Sequence, residues 1–97
     1  MSATYPTGQS RHLTLVANTV ATVTLDDDYA TVEVVNVDGA AAVYFVVNFA
    51  ATPTVGGDDT VVLPAAISGV ELDPYGAANT TVKLISSGTP NVCVRGW

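Results

Sequence analysis

The chain has 97 residues, of which 48% are hydrophobic and 12% charged, and its formal net charge is −6. This length suits one domain that buries a single core without metals or disulfides, and the hydrophobic content excludes intrinsic disorder. Soluble domains carry about 25% charged residues, so this low fraction predicts that part of the surface faces another protein.

The basic residues are too few and too dispersed for binding to polyanions. They are Arg11, Lys83 and Arg95. Nucleic-acid backbones and anionic membranes attract clustered Lys and Arg side chains, so neither is expected as a partner. No apolar run reaches the roughly 20 residues of a membrane span, and residues 1–6 lack the basic start and apolar stretch of a signal peptide. We expect the chain to be made in a cytoplasm.

The order of strand and turn signals along the chain predicts an all-β fold. Residues 1–10 contain Pro6 and Gly8 and predict a flexible N-terminal arm, followed by one domain over residues 11–97. Alternating apolar positions and turn residues predict strands over residues 11–17, 20–25, 30–37, 42–48, 60–63, 69–73, 80–86 and 91–97. About eight short strands with no helical period favour a small antiparallel β-sandwich or barrel.

Two of the turns have recognisable residues. Asn18-Thr19 is a candidate two-residue turn between the first and second strands, and Asp38-Gly39 predicts a hairpin between the third and fourth. Residues 50–59, with Pro53, Gly56 and Gly57, and residues 75–79, which follow Pro74, are predicted loops.

Several strands are apolar on both faces. In the third strand, Val32 and Val34 share one face, while Val35 and Val37 share the other. A sandwich that stays monomeric has polar outer faces. The surplus apolar face is covered by loops, removed by a β-bulge that changes the phase, or covered by neighbouring subunits.

The candidate interface residues come from this surplus and from the aromatic side chains. Tyr44 and Phe45 are adjacent and therefore point to opposite faces, one into the core and one outward. Trp97 is predicted to pack on its own domain or on a neighbour. The predicted interface set is Tyr44, Val35, Val37, Ile85 and Trp97.

The reactive residues do not assemble into a recognisable site. The Asp26-Asp27-Asp28 run does not match the spacing of a calcium loop and predicts a solvated turn, as does Gly56-Gly57-Asp58-Asp59. His12 has no second His or Cys near it in the sequence, and Cys93 has no cysteine to pair with. We therefore expect no enzyme activity, no metal and no cofactor.

Four stretches carry a resemblance to a known protein class. They are Val43–Val47, Pro53–Pro64, Val82–Gly88 and the closing Val92–Trp97, and the sharpest part is Pro53-Thr54-Val55-Gly56-Gly57-Asp58-Asp59-Thr60. Over residues 30–97 the chain is similar to small β-rich virion proteins of tailed bacteriophages, especially those of actinobacterial hosts. The resemblance implies a capsid decoration (cement) protein on the outer capsid surface, made in the host cytoplasm.

The same resemblance implies the partners. These are the major capsid protein and further copies of the chain, with a homotrimer expected. Alternatives are a tail, head-fibre or head–tail connector component. A carbohydrate-binding module for host attachment, with Tyr44, Tyr75 and Trp97 stacking on sugar rings, is a further alternative.

Overall fold

Eight antiparallel strands and no helix form the part of the chain that the structure describes. The computed structural model describes residues 8–26, 28–74 and 79–97. The strands are β1 (Gln9–Thr14), β2 (Ala21–Thr24), β3 (Val32–Asn36), β4 (Val43–Val47), β5 (Val61–Leu63), β6 (Ser68–Leu72), β7 (Thr81–Ile85) and β8 (Asn91–Gly96). The predicted all-β class and the count of eight strands are confirmed. In these three ranges no helix is long and apolar enough to cross a membrane.

The strands form two four-stranded sheets. Sheet A has the order β1-β8-β3-β6, and sheet B has the order β2-β7-β4-β5. Every pairing is antiparallel. Side chains alternate across each strand, so each sheet sends one set inward and one set outward.

The core fills the space between the sheets. Phe45 and Leu84 are register partners in sheet B, and Val34 and Val94 are register partners in sheet A; all four are fully buried. The full set of buried core side chains is Leu15, Val23, Leu25, Val32, Val34, Val43, Phe45, Leu63, Val82, Leu84, Val92 and Val94. The predicted division of Tyr44 and Phe45 is confirmed, because Phe45 points inward and Tyr44 outward.

The two predicted turns exist, but neither closes a hairpin. Asn18 and Gly39 both have positive φ, at 57° and 65°. However, β1 and β3 belong to sheet A, whereas β2 and β4 belong to sheet B, so each turn carries the chain from one sheet to the other. The hairpin predicted at Asp38-Gly39 is therefore wrong. Its turn is held by Asn36, which accepts from the Gly39 N–H at 3.2 Å and donates to Ala41 O at 2.9 Å.

The N-terminal boundary also differs from the prediction. β1 begins at Gln9, and Gln9 and Ser10 pair with Gly96 and Arg95 of β8. These two residues belong to sheet A rather than to an arm, because their neighbours on β8 supply backbone partners. The rest of the predicted arm, residues 1–7, lies outside the described residues.

Candidate docking surface

The outer face of sheet B is partly covered by the chain itself. Lys83 lies on this face, and its Nζ donates to Phe49 O and Ala50 O, both at 3.1 Å. These bonds fasten the loop between β4 and β5 across the sheet. Below it, Val46 is 6% exposed and Pro53 of the loop is buried. The loop therefore covers apolar surface that a bare sheet would leave in water.

The outer face of sheet A keeps exposed apolar side chains. By register, Val35 lies between Cys93 of β8 and Gly69 of β6. Val37 follows on the same face and is 43% exposed, and Ile67, which precedes β6, is 77% exposed. We call the outward side chains of Glu33, Val35, Val37, Cys93, Arg95 and Trp97 the sheet A surface.

A stacked and paired arginine lies at one end of the sheet A surface. Arg95 Nε donates to Glu33 Oε1 at 2.8 Å, and the guanidinium carbon lies 4.8 Å from the centroid of the Trp97 ring. Both the ion pair and the cation–π contact hold the long Arg95 side chain in one orientation. Arg and Trp are enriched at the energetic centres of protein interfaces. The arrangement thus holds a cationic side chain against an aromatic ring at the end of the sheet A surface opposite Val37.

Cys93 lies in the middle of the sheet A surface, and its thiol has a raised pKa. Burial raises the pKa of its thiol, Arg95 opposes this and Glu33 reinforces it. His12 Nε2 lies 3.8 Å from Cys93 Sγ. A thiol with a raised pKa is a weak nucleophile at neutral pH. Among the described residues, no group of three or more His, Cys, Asp or Glu side chains is arranged to hold a metal ion.

The five predicted interface residues lie on two separate faces. Val35, Val37 and Trp97 lie on the sheet A surface. Tyr44 and Ile85 are register partners on the outer face of sheet B. Ile85 is 7% exposed, so it offers little area to a partner. Tyr44 and Ile85 are direct cross-strand neighbours, whereas Val37 and Trp97 lie toward opposite ends of the sheet A surface, beside Asn91 and Thr31.

The two acidic segments, at residues 26–28 and 56–59, lie in or beside turns in the part of the chain that the structure describes. In the loop between β4 and β5, Gly57 N donates to Thr54 O at 2.9 Å and Thr60 Oγ1 donates to Gly57 O at 2.7 Å. At the other run, the Tyr29 hydroxyl donates to Asp26, and Asp27 lies outside the described residues. These bonds use side chains and backbone locally, as in ordinary turns.

An open hollow of about 540 Å³ lies between the sheets at the end of β6. Its wall includes the apolar side chains of Phe45, Val61 and Leu72. The wall also includes the carboxylates of Asp59 and Asp73, and Asp73 Oδ1 accepts from Thr31 Oγ1 at 3.0 Å. The hollow is therefore lined by apolar side chains and two carboxylates.

Three features of these faces were not predicted from the sequence. They are the stacking of Arg95 on Trp97, the exposure of Ile67 and the Lys83 contacts with the loop. The period-2 spacing of Arg95 and Trp97 on one strand is a signal that could have found the first. The other two depend on which strands become neighbours, which the sequence pattern does not encode.

Comparison of the chain with protein-family models, with curated proteins and with solved structures gave no match.

Proposed function

We propose that the chain is a non-enzymatic virion structural protein that decorates the capsid of a tailed bacteriophage and binds it through the sheet A surface. The observation that carries the proposal is the sheet A surface, which has exposed Val37 and the neighbouring exposed Ile67 at one end and Arg95 stacked on Trp97 at the other. The sequence resemblance supplies the class of partner, the major capsid protein. Further copies of the chain, as in a homotrimer, are the second partner.

The two outer faces differ in a way that favours sheet A. Sheet B has its own loop fastened by Lys83 over part of its outer face. The sheet A surface combines exposed apolar residues with an Arg and a Trp, the composition of an interface centre surrounded by polar groups. Binding there removes apolar area from water without requiring any chemistry.

The decisive experiment places a charge on each outer face in turn. Val37→Asp on sheet A and Val62→Asp on sheet B are matched, since the two valines are 43% and 52% exposed. Val37→Asp is expected to weaken cosedimentation with purified virions at least tenfold, because burying an unpaired carboxylate in an interface is costly. Val62→Asp is expected to leave it unchanged.

The outcomes decide between surfaces and between functions. Unchanged binding of Val37→Asp would overturn the assignment to sheet A. Absence of the chain from virions would overturn the virion function as a whole. Thermal melts of both variants check that each is folded before binding is compared.

The tail or connector alternative is separated from capsid decoration by copy number. Decoration requires copies in proportion to the major capsid protein, whereas a connector requires few per particle. Quantitative gel staining of purified virions measures this ratio, and a few copies per virion would replace the capsid with the tail or the connector.

The carbohydrate-binding alternative receives less support from the arrangement of aromatic residues. Tyr44 and Trp97 project from different sheets, and one face of the Trp97 ring carries Arg95. Tyr75 lies outside the described residues. Sugar-binding aromatics act together on one exposed face, so the capsid proposal uses the described residues better.

A further inference from the structure

We propose that copies of this chain associate head to tail, with the open edge of β1 in one copy pairing with the open edge of β6 in the next. The proposal deepens the self-association part of the proposed function by naming the surfaces involved. The partner is a second copy of the same chain, and the contact extends sheet A from one molecule into the next.

Sheet A has the longer open edges. Its edge strands β1 and β6 have six and five residues, and neither contains a proline. The edge strands of sheet B are β2 with four residues and β5 with three, and Pro64 follows β5 directly. Short strands and prolines are common protections against edge pairing; β1 and β6 are longer than β2 and β5, and Pro74 lies just beyond Asp73 at the end of β6.

Strand direction allows the contact. β1 is antiparallel to β8, β8 to β3, and β3 to β6, so β1 and β6 run in opposite directions. When a second copy is placed beside the first in the same orientation, its β6 therefore meets β1 as an antiparallel strand. The sheet continues with the hydrogen-bond pattern that it already has.

The two edges carry complementary polar groups. β1 carries the cationic Arg11 and the ring N–H donor of His12, both exposed, and β6 carries the exposed carboxylate of Glu71. Within the described residues the Glu71 side chain makes no hydrogen bond or ion pair. Pairing β1 with another β1 places like groups opposite each other, Arg11 on Arg11 or His12 on His12. Opposite charges across strands stabilise a pair and like charges destabilise it, so head-to-tail contact is favoured.

One register pairs polar side chains on the outer face of the extended sheet and apolar side chains on its inner face. It places Glu71 opposite His12 on the outer face and Val70 opposite Leu13 on the inner face. Val70 and Leu13 are partly buried side chains packed against the core at the two opposite edges. Pairing them across the contact buries the area that each leaves exposed at its edge. The same register sets Asp73 opposite Ser10.

A head-to-tail contact leaves one unused β1 and one unused β6 at the ends of any open assembly. Addition of copies therefore continues until the rotation between neighbours closes a ring. Closure makes the last contact intramolecular, which raises the stability of the ring above that of an open pair. The homotrimer of the proposed function is one such closed ring.

The test is a charge exchange followed by sedimentation velocity of the isolated chain between 1 and 100 µM, concentrations on the order of ordinary protein–protein Kd values. The wild-type chain is expected to associate with rising concentration. His12→Asp and Glu71→Lys are each expected to weaken association about tenfold, because the first sets two carboxylates opposite each other and the second removes the acceptor for the His12 ring N–H. The double variant His12→Asp/Glu71→Lys is expected to recover wild-type association. Asp58→Lys, an exposed charge reversal away from both edges, is the matched control and is expected to associate as the wild type.

Several results would overturn the proposal. These are a wild-type monomer at every concentration, single variants that associate normally, or a double variant that does not recover. Weaker association of His12→Asp together with unchanged association of Glu71→Lys would indicate β1 pairing with β1. If the full chain stays monomeric and associates only after residues 2–7 are deleted, those residues occupy the β1 edge, and the proposed contact is wrong for the full chain. Because the measurement uses no virions, its failure leaves capsid binding by the sheet A surface standing.

Discussion

At the scale of single residues, the buried polar side chains determine how the chain crosses between the sheets. Asn36 is fully buried at the end of β3. Its Nδ2 donates to Ala41 O and Pro64 O, both at 2.9 Å, and its Oδ1 accepts from Gly39 N. One amide thus joins the β3–β4 turn to the segment that follows β5. Among the described residues, no buried side-chain nitrogen or oxygen lacks a partner.

Replacement of Asn36 by alanine is expected to lower the free energy of unfolding by about 3 kcal/mol, because three backbone groups lose their partner in a dry site. Urea denaturation followed by circular dichroism measures the change. Asn79→Ala, at an exposed position, is the control and should change stability by less than about 0.5 kcal/mol. Equal effects of the two substitutions would contradict this role.

Cys93 makes stability depend on pH in the alkaline range. Burial raises the pKa of its thiol in the folded protein, so the unfolded chain loses this proton at lower pH. The stabilisation is complete below the ordinary thiol pKa and is lost as pH rises through the folded value. Cys93→Ala is expected to show a shallower alkaline loss of stability than the wild type, measured by urea denaturation at several pH values. Parallel curves would contradict the assignment.

At the scale of elements, the pattern of apolar residues identified the strands but not their neighbours. The double apolar face of β3 follows from Val32, Val34 and Val35 alone, since side chains alternate along any strand. The pairing of β1 with β8 joins residues that are far apart in the sequence, from Thr14–Asn91 to Gln9–Gly96, and local periodicity carries no information on such pairs. The Asp38-Gly39 turn shows the limit clearly, because its residues specify a tight turn and not the sheet that receives the next strand.

The loop over sheet B provides a prediction at this scale. Lys83→Met keeps the apolar stem and removes the donors to Phe49 O and Ala50 O. We expect the free energy of unfolding to fall by about 1 kcal/mol and amide exchange in residues 49–60 to become faster. Hydrogen exchange with mass spectrometry measures the exchange rate in residues 49–60, and urea denaturation measures the free energy of unfolding. Lys83→Arg is the control that keeps a donor. Unchanged exchange in Lys83→Met would show that other contacts hold the loop.

At the scale of the whole molecule, the two outer faces differ in what covers them. One is partly closed by a loop of the chain, and the other presents Val37 and Ile67 with the Arg95–Trp97 stack. The sequence predicted surplus apolar surface but distributed its candidates over both faces. Tyr44 and Ile85 project opposite to Val35, Val37 and Trp97, and only the assembled sandwich makes this visible.

The N-terminal segment can now be tested with a sharper boundary. Deleting residues 2–7 is expected to leave the melting temperature unchanged and to weaken retention on virions. Deleting residues 2–10 is expected to lower the melting temperature as well, because it removes the pairs Gln9–Gly96 and Ser10–Arg95 of sheet A. Calorimetry and cosedimentation separate the two effects. Full retention of the shorter deletion would remove any role of the segment in capsid binding.

The topology of sheet A also has a consequence for biosynthesis. The central strand β8 is the last of the eight, and it joins β1 to β3. Until residues 91–96 have left the ribosome, β1 has no partner and β3 has only β6. Non-local strand pairing of this kind slows folding to the range of milliseconds to seconds. The nascent chain therefore leaves β1 and one edge of β3 without a strand partner until residues 91–96 are available.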